Sequence, residues 1–178
     1  LEYGELWKHS QACAMAARLI ARKVRFSNLD VAYTAGLLHD IGKVILNQTM
    51  KETYNQVVER VAQGDVAFNQ VELEILGFDH AMVGSRVAEK WRLPEQLVEA
   101  IALHHNPQQA AINPQLTAIT HIADAVCVAM GIGIGVDGML YPISGQAMEM
   151  LGLDEISIEK TISELTDVFC DQQVFNLG

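Results

Sequence analysis

Five of the six histidines in the sequence form a series with acidic residues among them. The series consists of His9, His39, His80, His104 and His105. Asp40 follows His39 directly, at the end of an apolar run, and Asp124 lies in a second apolar stretch. Because an unpaired charge is costly to bury in apolar surroundings, these residues are better explained as metal ligands than as ordinary core residues.

The donor types indicate which metals and which chemistry such a site would support. Imidazole and carboxylate ligands without thiolate suit iron, manganese, zinc, cobalt or nickel, and a carboxylate such as Asp40 can bridge two ions. His104 and His105 are neighbours that point in different directions, so both bind only in a site with more than one metal. Two ions roughly 3.5–4 Å apart stabilise charge on a phosphoryl group and activate water. We therefore predict two divalent ions, with iron or manganese favoured, and a phosphohydrolase reaction.

Local spacing decides how further residues could join this site. Glu5 and His9 are four residues apart and share a helical face, although the helix dipole also favours a glutamate in a first turn. Adjacent residues such as His39 and Asp40 point about 100° apart on a helix, so one site can include both only at a helix end. Gly42 is expected to open the backbone there.

Size and charge limit the classes of partner. A chain of 178 residues suits one domain with a full hydrophobic core. The net charge of -10 argues against nucleic acid, which needs a basic surface, and no apolar run approaches the roughly 18 residues of a membrane span. A phosphorylated substrate must therefore be met by cations inside a pocket.

The cysteines indicate the redox compartment of the protein, and the first residues indicate whether the chain is part of a longer polypeptide. Cys13, Cys127 and Cys170 lack the spacing of thiolate metal sites, and we expect them to be small buried residues in a reducing compartment. This predicts a soluble cytoplasmic protein. A helical pattern that begins at once, without an initiator Met, predicts a piece of a longer polypeptide.

Apolar periodicity predicts an all-α fold without strands. The predicted helices cover residues 3–23, 31–39, 51–63, 69–76, 80–91, 94–105, 114–130, 145–151 and 156–170. Asp30 is a plausible N-cap of the second helix, which is expected to end near Gly42. The glycine-rich stretch over residues 131–139 is predicted to be a loop, because no strand precedes it as in a phosphate-binding loop.

The order of His9, then His39-Asp40, then Asp124 resembles the H…HD…D signature of the HD superfamily of metal-dependent phosphohydrolases. Four strings are most similar to the HDOD branch, the HD-related output domains of bacterial signalling proteins. They are LLHDIGK (37–43), GFDHAMVG (77–84), WRLPEQLVEAIALHH (91–105) and HIAD (121–124). The resemblance implies one HD-domain helical bundle over residues 1–178, with a metal site between helices and usually a further helical segment upstream.

The resemblance also implies a set of site residues. The metal-ligand positions match Glu5, His9, His39, Asp40, His80, His104, His105 and Asp124. Asp40 and Lys43, which matches the lysine of HDxGK, are the implied catalytic residues: Asp40 bridges the ions and Lys43 offsets charge on the phosphate. For Lys43, closing the carboxyl end of a helix is the alternative role. His121 lies three residues before Asp124 on the same helical face and could support a ligand, but an ordinary core or surface histidine outside the ligand set is the favoured prediction.

The residues after His105 differ from those of the HD-GYP relatives, and this difference limits the predicted substrates. After His105 the chain continues NPQQ, where those relatives have a glutamate and the GYP triplet, so cyclic di-GMP cleavage is not implied. We predict a hydrolase of a nucleotide or other small phosphoester in bacterial signalling, with protein partners reached through attached domains and with no nucleic-acid or membrane partner. The alternatives are a non-catalytic HDOD output module and, third, a di-iron oxygenase.

Overall fold

A computed structural model describes residues 3–64, 66–132 and 142–175. Within these residues the chain forms α-helices and one short 3₁₀ turn, Pro107–Gln109, and no strand, which confirms the all-α prediction. The helices are α1 (Tyr3–Lys23), α2 (Leu29–Leu38), α3 (Ile41–Thr49), α4 (Lys51–Ala62), α5 (Phe68–Leu76), α6 (His80–Lys90), α7 (Glu95–Leu103), α8 (Pro114–Ala129), α9 (Gly145–Leu151) and α10 (Glu155–Phe175).

Helix α3 is the main departure from the predicted elements. The sequence analysis ended the second helix near Gly42 and predicted no helix over Ile41–Thr49. In the structure α2 already ends at Leu38, and α3 starts three residues later. Glycine in a helix usually marks an end because it lacks a side chain to pack, but Gly42 is buried inside α3. The N-cap of α2 is also corrected, since the side chain of Asn28, not Asp30, accepts the hydrogen bond from Val31 N.

The helices bury two hydrophobic clusters. The larger one joins α1, α2 and α7–α10, with α8 at its centre, where every residue from Leu116 to Val128 is buried. Small residues let α1 and α2 approach closely: a Cβ on Gly36 would lie 2.5 Å from the carbonyl oxygen of Cys13. The smaller cluster joins α3, α4 and α5 around Tyr54, Val57 and Phe68.

Two sequence predictions fall on residues that the structure does not describe. Most of the glycine-rich stretch over residues 131–139, and the side chain of Cys170, lie outside the described residues. Cys13 and Cys127 are both buried and reduced, as predicted for small apolar residues. None of the helices in the described part of the chain is long and apolar enough to cross a bilayer.

Candidate metal centre

The structure brings together the seven most central residues of the predicted ligand set. They come from distant parts of the chain: His9 from α1, His39 and Asp40 from the junction of α2 and α3, His80 from the start of α6, His104 and His105 from the end of α7, and Asp124 from α8. All are buried except His105, which is partly exposed. The junction leaves Asp40 outside either helix, with φ −98° and ψ 12°, so its carboxylate and the ring of His39 can face one site.

One half of the centre contains His9, His39 and Asp124. The Oδ1 atom of Asp124 lies 3.0 Å from His9 Nε2 and 3.6 Å from His39 Nε2. These atoms, together with Cys13 Sγ, belong to a group of possible ligand atoms that all lie within 4.8 Å of one another.

The other half contains three histidines. His80 Nε2 lies 2.8 Å from His105 Nε2 and 3.4 Å from His104 Nε2. Three imidazole nitrogens so close together form a second compact group of possible ligand atoms. The rings of His104 and His105 do not point apart as the sequence analysis assumed: their centroids lie 3.9 Å from each other, and both Nε2 atoms reach His80 Nε2.

Asp40 lies between the two halves and directs one carboxylate oxygen at each. Its Oδ2 atom lies 3.7 Å from His9 Nε2 and 3.6 Å from His39 Nε2. Its Oδ1 atom lies 3.2 Å from His80 Nε2 and 4.0 Å from His104 Nε2. This is the arrangement that a carboxylate bridging two ions requires.

Hydrogen bonds hold the histidine rings so that Nε2 faces the centre. His39 Nδ1 donates to the carbonyl of Gly36 at 2.7 Å, and His104 Nδ1 donates to that of Ile101 at 2.8 Å. His9 Nδ1 lies 3.2 Å from the carbonyl oxygen of Ile132. A proton fixed on Nδ1 leaves the Nε2 lone pair available to a cation, which is how metal-binding histidines are normally oriented.

Glu72 orients His80 and was missed by the sequence analysis. Its carboxylate is fully buried, and Oε2 accepts hydrogen bonds from His80 Nδ1 at 2.5 Å and from the His80 backbone N at 2.9 Å. Oε1 accepts a hydrogen bond from Tyr54 Oη at 2.9 Å. The available signal was a charged residue on the apolar face of α5, four residues after Phe68 and one after Val71.

Lys43 is buried beside the centre. Its Nζ lies 3.0 Å from Asp40 Oδ2 and 4.9 Å from the centroid of the Phe68 ring. Lys43 lies near the start of α3 rather than in the last turn of a helix. Its charge is directed at the carboxylate of Asp40.

Charge and burial act in opposite directions on the acidic groups. Burial raises the pKa of Asp40, but the charges of Lys43 and His39 lower that pKa well below its ordinary value. For Asp124, burial raises the pKa, but the neighbouring imidazoles of His39 and His9 lower it well below its ordinary value. Both carboxylates are therefore ionised at neutral pH and are competent ligands.

The histidines divide into two protonation classes. Burial and the charges of His39 and His80 lower the pKa of His104 to about 3, so its ring is neutral. Burial lowers the pKa of His80, but the charge of Glu72 raises it, giving a value of about 10. A cation that binds His80 Nε2 must therefore displace a proton, and metal affinity should fall as the pH is lowered.

The residues present fit a cationic group. His39 Nε2 is a buried polar atom without a hydrogen-bond partner among the described residues, while the buried carboxylate of Asp40 has Lys43 Nζ 3.0 Å from its Oδ2 and His80 Nε2 3.2 Å from its Oδ1. Such groups are costly to bury unless another group satisfies them. The donor set of imidazoles and carboxylates suits divalent transition metals.

Glu5 and Gly42 do not behave as the sequence analysis assumed. Glu5 belongs to neither group of ligand atoms, and its carboxylate is partly exposed and lies 2.8 Å from Lys8 Nζ. Gly42 does not open the backbone. It lets α3 pack against α6, because a Cβ there would overlap the carbonyl oxygen of His80 and lie 2.9 Å from Gly84 N.

His121 lies outside the ligand groups and supports the loop that carries His104. Its Nδ1 donates to the carbonyl of His104 at 2.8 Å, and its Nε2 accepts from the backbone N of Ser144 at 2.9 Å. Burial lowers the pKa of His121, which keeps the ring neutral as both hydrogen bonds require. It is a positioning residue rather than an ordinary core histidine.

Comparison with known proteins identifies relatives of this fold. The HDOD domain family model matches residues 1–107. An HDOD domain protein of unknown function from Geobacter sulfurreducens is 30% identical, with a TM-score of 0.78, over 96% of this chain and 61% of that chain. A proposed signal transduction protein from Marinobacter aquaeolei VT8 is 20% identical, with a TM-score of 0.78, over 91% and 36% of the two chains. A proposed phosphohydrolase from Shewanella amazonensis SB2B is 20% identical, with a TM-score of 0.72, over 94% of this chain and 60% of that chain.

The last two of these similarities are similarities of fold, because their sequence identity is low. The chain is also shorter than its relatives. It spans 21% and 16% of the length of curated relatives that it matches over 106 and 108 residues.

Proposed function

The chain belongs to the HDOD family, and from this premise we propose that it is a metal-dependent phosphohydrolase of bacterial signalling, acting on a nucleotide or another small phosphoester. The observation that carries the proposal is the position of Asp40, with one carboxylate oxygen toward each of two neighbouring groups of imidazole nitrogens. A helical output module that only binds partners has no need of such a bridge.

In the proposed centre the ligands are shared between two ions. His9, His39, Asp124 and Asp40 Oδ2 hold one ion, and the other is held by His80, His104, His105 and Asp40 Oδ1. Bound there, two divalent ions supply Lewis-acid polarisation of a phosphoester and lower the pKa of water. Glu5 stays the weakest proposed ligand, because it is paired with Lys8.

Lys43 has two roles in the proposal. Its ammonium group keeps Asp40 ionised, since its charge lowers the pKa of that carboxyl group. It also adds positive charge beside the site in a protein whose net charge is -10, and this charge offsets that of the phosphoester. The substrate's phosphate would otherwise meet an acidic protein.

Metal content and a phosphoester screen test the proposal together. We expect about two divalent ions per purified chain, with iron or manganese favoured, and turnover of phosphomonoesters, phosphodiesters or nucleotides after metal loading. Asp40→Asn and His39→Ala should each lower turnover by on the order of 100-fold or more, because both remove ligands that the centre needs.

Asp30→Asn is the matched control for Asp40→Asn, because Asp30 is exposed at the start of α2, with a carboxylate 87% exposed. It should keep both its metal and its activity. Turnover that persists in both His39→Ala and Asp40→Asn would rule the mechanism out.

A signalling module without catalysis is the second candidate. It is favoured by Asn106 and Pro107, the two residues that follow His105. They begin the short 3₁₀ turn where HD-GYP relatives have the GYP region. In this candidate the ions are structural, and protein partners are reached through attached domains. Protein that carries its full metal content but hydrolyses no phosphoester in the screen would favour it.

A further inference from the structure

Cys13 is a buried thiol at the edge of the proposed centre. It lies one helical turn after His9 on α1 and is inaccessible to solvent. Its Sγ atom lies 3.4 Å from His9 Nε2 and 3.9 Å from His9 Nδ1. Cys13 Sγ and ligand atoms of His9, His39 and Asp124 all lie within 4.8 Å of one another.

We propose that Cys13 is a thiolate ligand of the ion held by His9, His39 and Asp124, so that this half of the centre selects Zn²⁺, Fe²⁺ or Co²⁺ over Mn²⁺ or Mg²⁺. The inference rests on the proposed metal centre and refines it. The sequence analysis had assigned the cysteines to packing and had described the donor set as free of thiolate.

Three of the distances within this group are close to those between neighbouring ligand atoms of one ion, which would have five donors when the Asp40 carboxylate is included. With metal–nitrogen and metal–oxygen bonds of about 2.0–2.1 Å and a metal–sulfur bond of about 2.3 Å, neighbouring ligand atoms lie roughly 3.3–3.6 Å apart. The edge from Cys13 Sγ to His9 Nε2 is 3.4 Å, and that from His39 Nε2 to Asp124 Oδ1 is 3.6 Å. The edge from His9 Nε2 to Asp124 Oδ1 is slightly shorter, at 3.0 Å.

A second observation indicates that this group faces a ligand. His39 Nε2 is buried without a hydrogen-bond partner among the described residues, and its Nδ1 proton is already given to Gly36. A buried ring nitrogen in such a position is normally satisfied by another group. An ion there would be shared by the nitrogen and the nearby sulfur.

Binding changes the protonation of the thiol. The S–H bond breaks, the sulfur keeps the electron pair and donates it to the ion, and the proton leaves to solvent. Thiolate is a soft ligand, so it stabilises zinc, cobalt and ferrous ions more than manganese or magnesium, which prefer oxygen. The selectivity of this half of the centre then differs from that of the histidine-rich half.

Cobalt substitution separates this inference from the proposal on which it rests. The full chain is loaded with Co²⁺ under anaerobic conditions, and its absorption spectrum is recorded. We expect visible d–d bands from the bound ions and, in the near ultraviolet, a sulfur-to-cobalt charge-transfer band. Cys13→Ser should remove the charge-transfer band and leave the d–d bands.

A variant that carries both Cys127→Ser and Cys170→Ser is the matched control, because it keeps Cys13 as the single thiol, and the serine hydroxyl can replace the Cys127 thiol as the hydrogen-bond partner of Cys13. Its charge-transfer band should persist. In Cys13→Ser the affinity for Zn²⁺ should fall by on the order of tenfold or more, with a much smaller change for Mn²⁺.

The outcomes are distinguishable even if Cys13→Ser fails to fold, because the wild-type spectrum alone is decisive. Bound Co²⁺ with d–d bands but no charge-transfer band overturns thiolate ligation and leaves the metal centre standing. A charge-transfer band that vanishes in the Cys127→Ser, Cys170→Ser protein also overturns it. Failure to bind Co²⁺ at all would overturn the metal centre itself.

Discussion

Glu72 is a buried carboxylate that faces the ring of His80 from the side opposite the proposed ions. It accepts hydrogen bonds from both the ring and the backbone of His80. Burial raises the pKa of Glu72, but the charge of His80 helps to lower that pKa below its ordinary value. A carboxylate in this position fixes the histidine tautomer and makes the ring a stronger ligand. Glu72 is therefore expected to affect metal affinity without touching a metal.

Glu72→Gln tests this role. A neutral amide can still fill the space and accept from His80, but it lacks the charge that strengthens the ring as a donor. We expect metal affinity in the His80 half of the centre to fall by roughly 10–100-fold. Competition titration with a chromophoric chelator measures the change.

Glu74→Gln is the control, because Glu74 is exposed on the same helix. It should bind metal as the wild type does. Equal affinities in Glu72→Gln and wild type would mean that the Glu72–His80 pair serves stability alone.

At the scale of elements, Gly42 is expected to be intolerant of any side chain. Alanine is the better helix former by roughly 0.5–1 kcal/mol, so an open position in α3 would gain from Gly42→Ala. Here the added methyl group would overlap the backbone of His80, and backbone cannot move aside as a flexible side chain can. Overpacking of this kind costs about 1–3 kcal/mol or more, so the clash outweighs the helix propensity.

We therefore expect Gly42→Ala to lower the free energy of unfolding, measured by denaturant titration, and to displace His80 enough to weaken metal binding. Gly4→Ala in α1 is the control, since a Cβ there has nothing within 4 Å. It should be neutral or slightly stabilising. A Gly42→Ala protein as stable as Gly4→Ala would contradict the close packing of α3 on α6.

Glu99 joins α7 to the start of α8 and gives a pH-dependent prediction. Its carboxylate accepts backbone hydrogen bonds from Ala111 at 2.7 Å, Ile112 at 2.8 Å and Asn113 at 2.6 Å. Burial raises the pKa of Glu99, but these three hydrogen bonds lower it below the ordinary 4.5. A lowered folded-state pKa stabilises the protein above pH 4.5, and this stabilisation is lost as the pH falls through the lower value.

Glu99→Gln should thus cost about 1–3 kcal/mol near neutral pH, since the amide cannot accept all three bonds, and less in acid. Urea titrations at several pH values measure the difference from wild type. Glu95→Gln, exposed in the first turn of α7, should change stability by much less at every pH. If the loss of stability in Glu99→Gln does not become smaller in acid, the hydrogen bonds are not made by an ionised Glu99 carboxylate.

The sequence predicted most elements because apolar periodicity and end signals agreed. Helices α1 and α9 span the predicted residues, and α8 differs by one residue at its end. Helix α3 was missed because its glycine was interpreted as a helix end, whereas its role is a contact with α6 that only the tertiary structure reveals. Periodicity describes one helix at a time and says nothing about which backbones touch.

The same limit applies to the site. Residues such as His39 and Asp40 have chemistry that is visible from their type, and the structure brings them together. Glu72 contacts His80 of another helix, and its position in α5 does not reveal that contact. Cys13 lies one turn after His9 on a packed face of α1, and its type alone favoured a small core residue. Glu5 had the right spacing from His9, but it pairs with Lys8 instead.

At the scale of the whole molecule, the candidate centre lies between the two hydrophobic clusters. His9 and Asp124 come from helices of the larger cluster, while His80 and Lys43 adjoin the smaller one through Glu72 and Phe68. Asp40 is the only one of these groups that faces both halves of the centre. Ions bound there would connect parts of the chain that are otherwise joined through helix packing.

Removal of the ions should therefore lower the melting temperature as well as any activity. Each ion, at a free concentration about 1,000-fold above its Kd, stabilises the folded state by roughly 4 kcal/mol. For a chain of this size that corresponds to roughly 8–16 °C in Tm. Thermal denaturation followed by circular dichroism, with and without a chelator, measures the shift.

The shift in Tm should be nearly absent in Asp40→Asn, because removing the bridge weakens both halves at once. It should be retained in Asp30→Asn. If a chelator strips the metal from the wild type but leaves its Tm unchanged, the ions do not connect the two clusters, because ions that bind the folded chain alone must stabilise it.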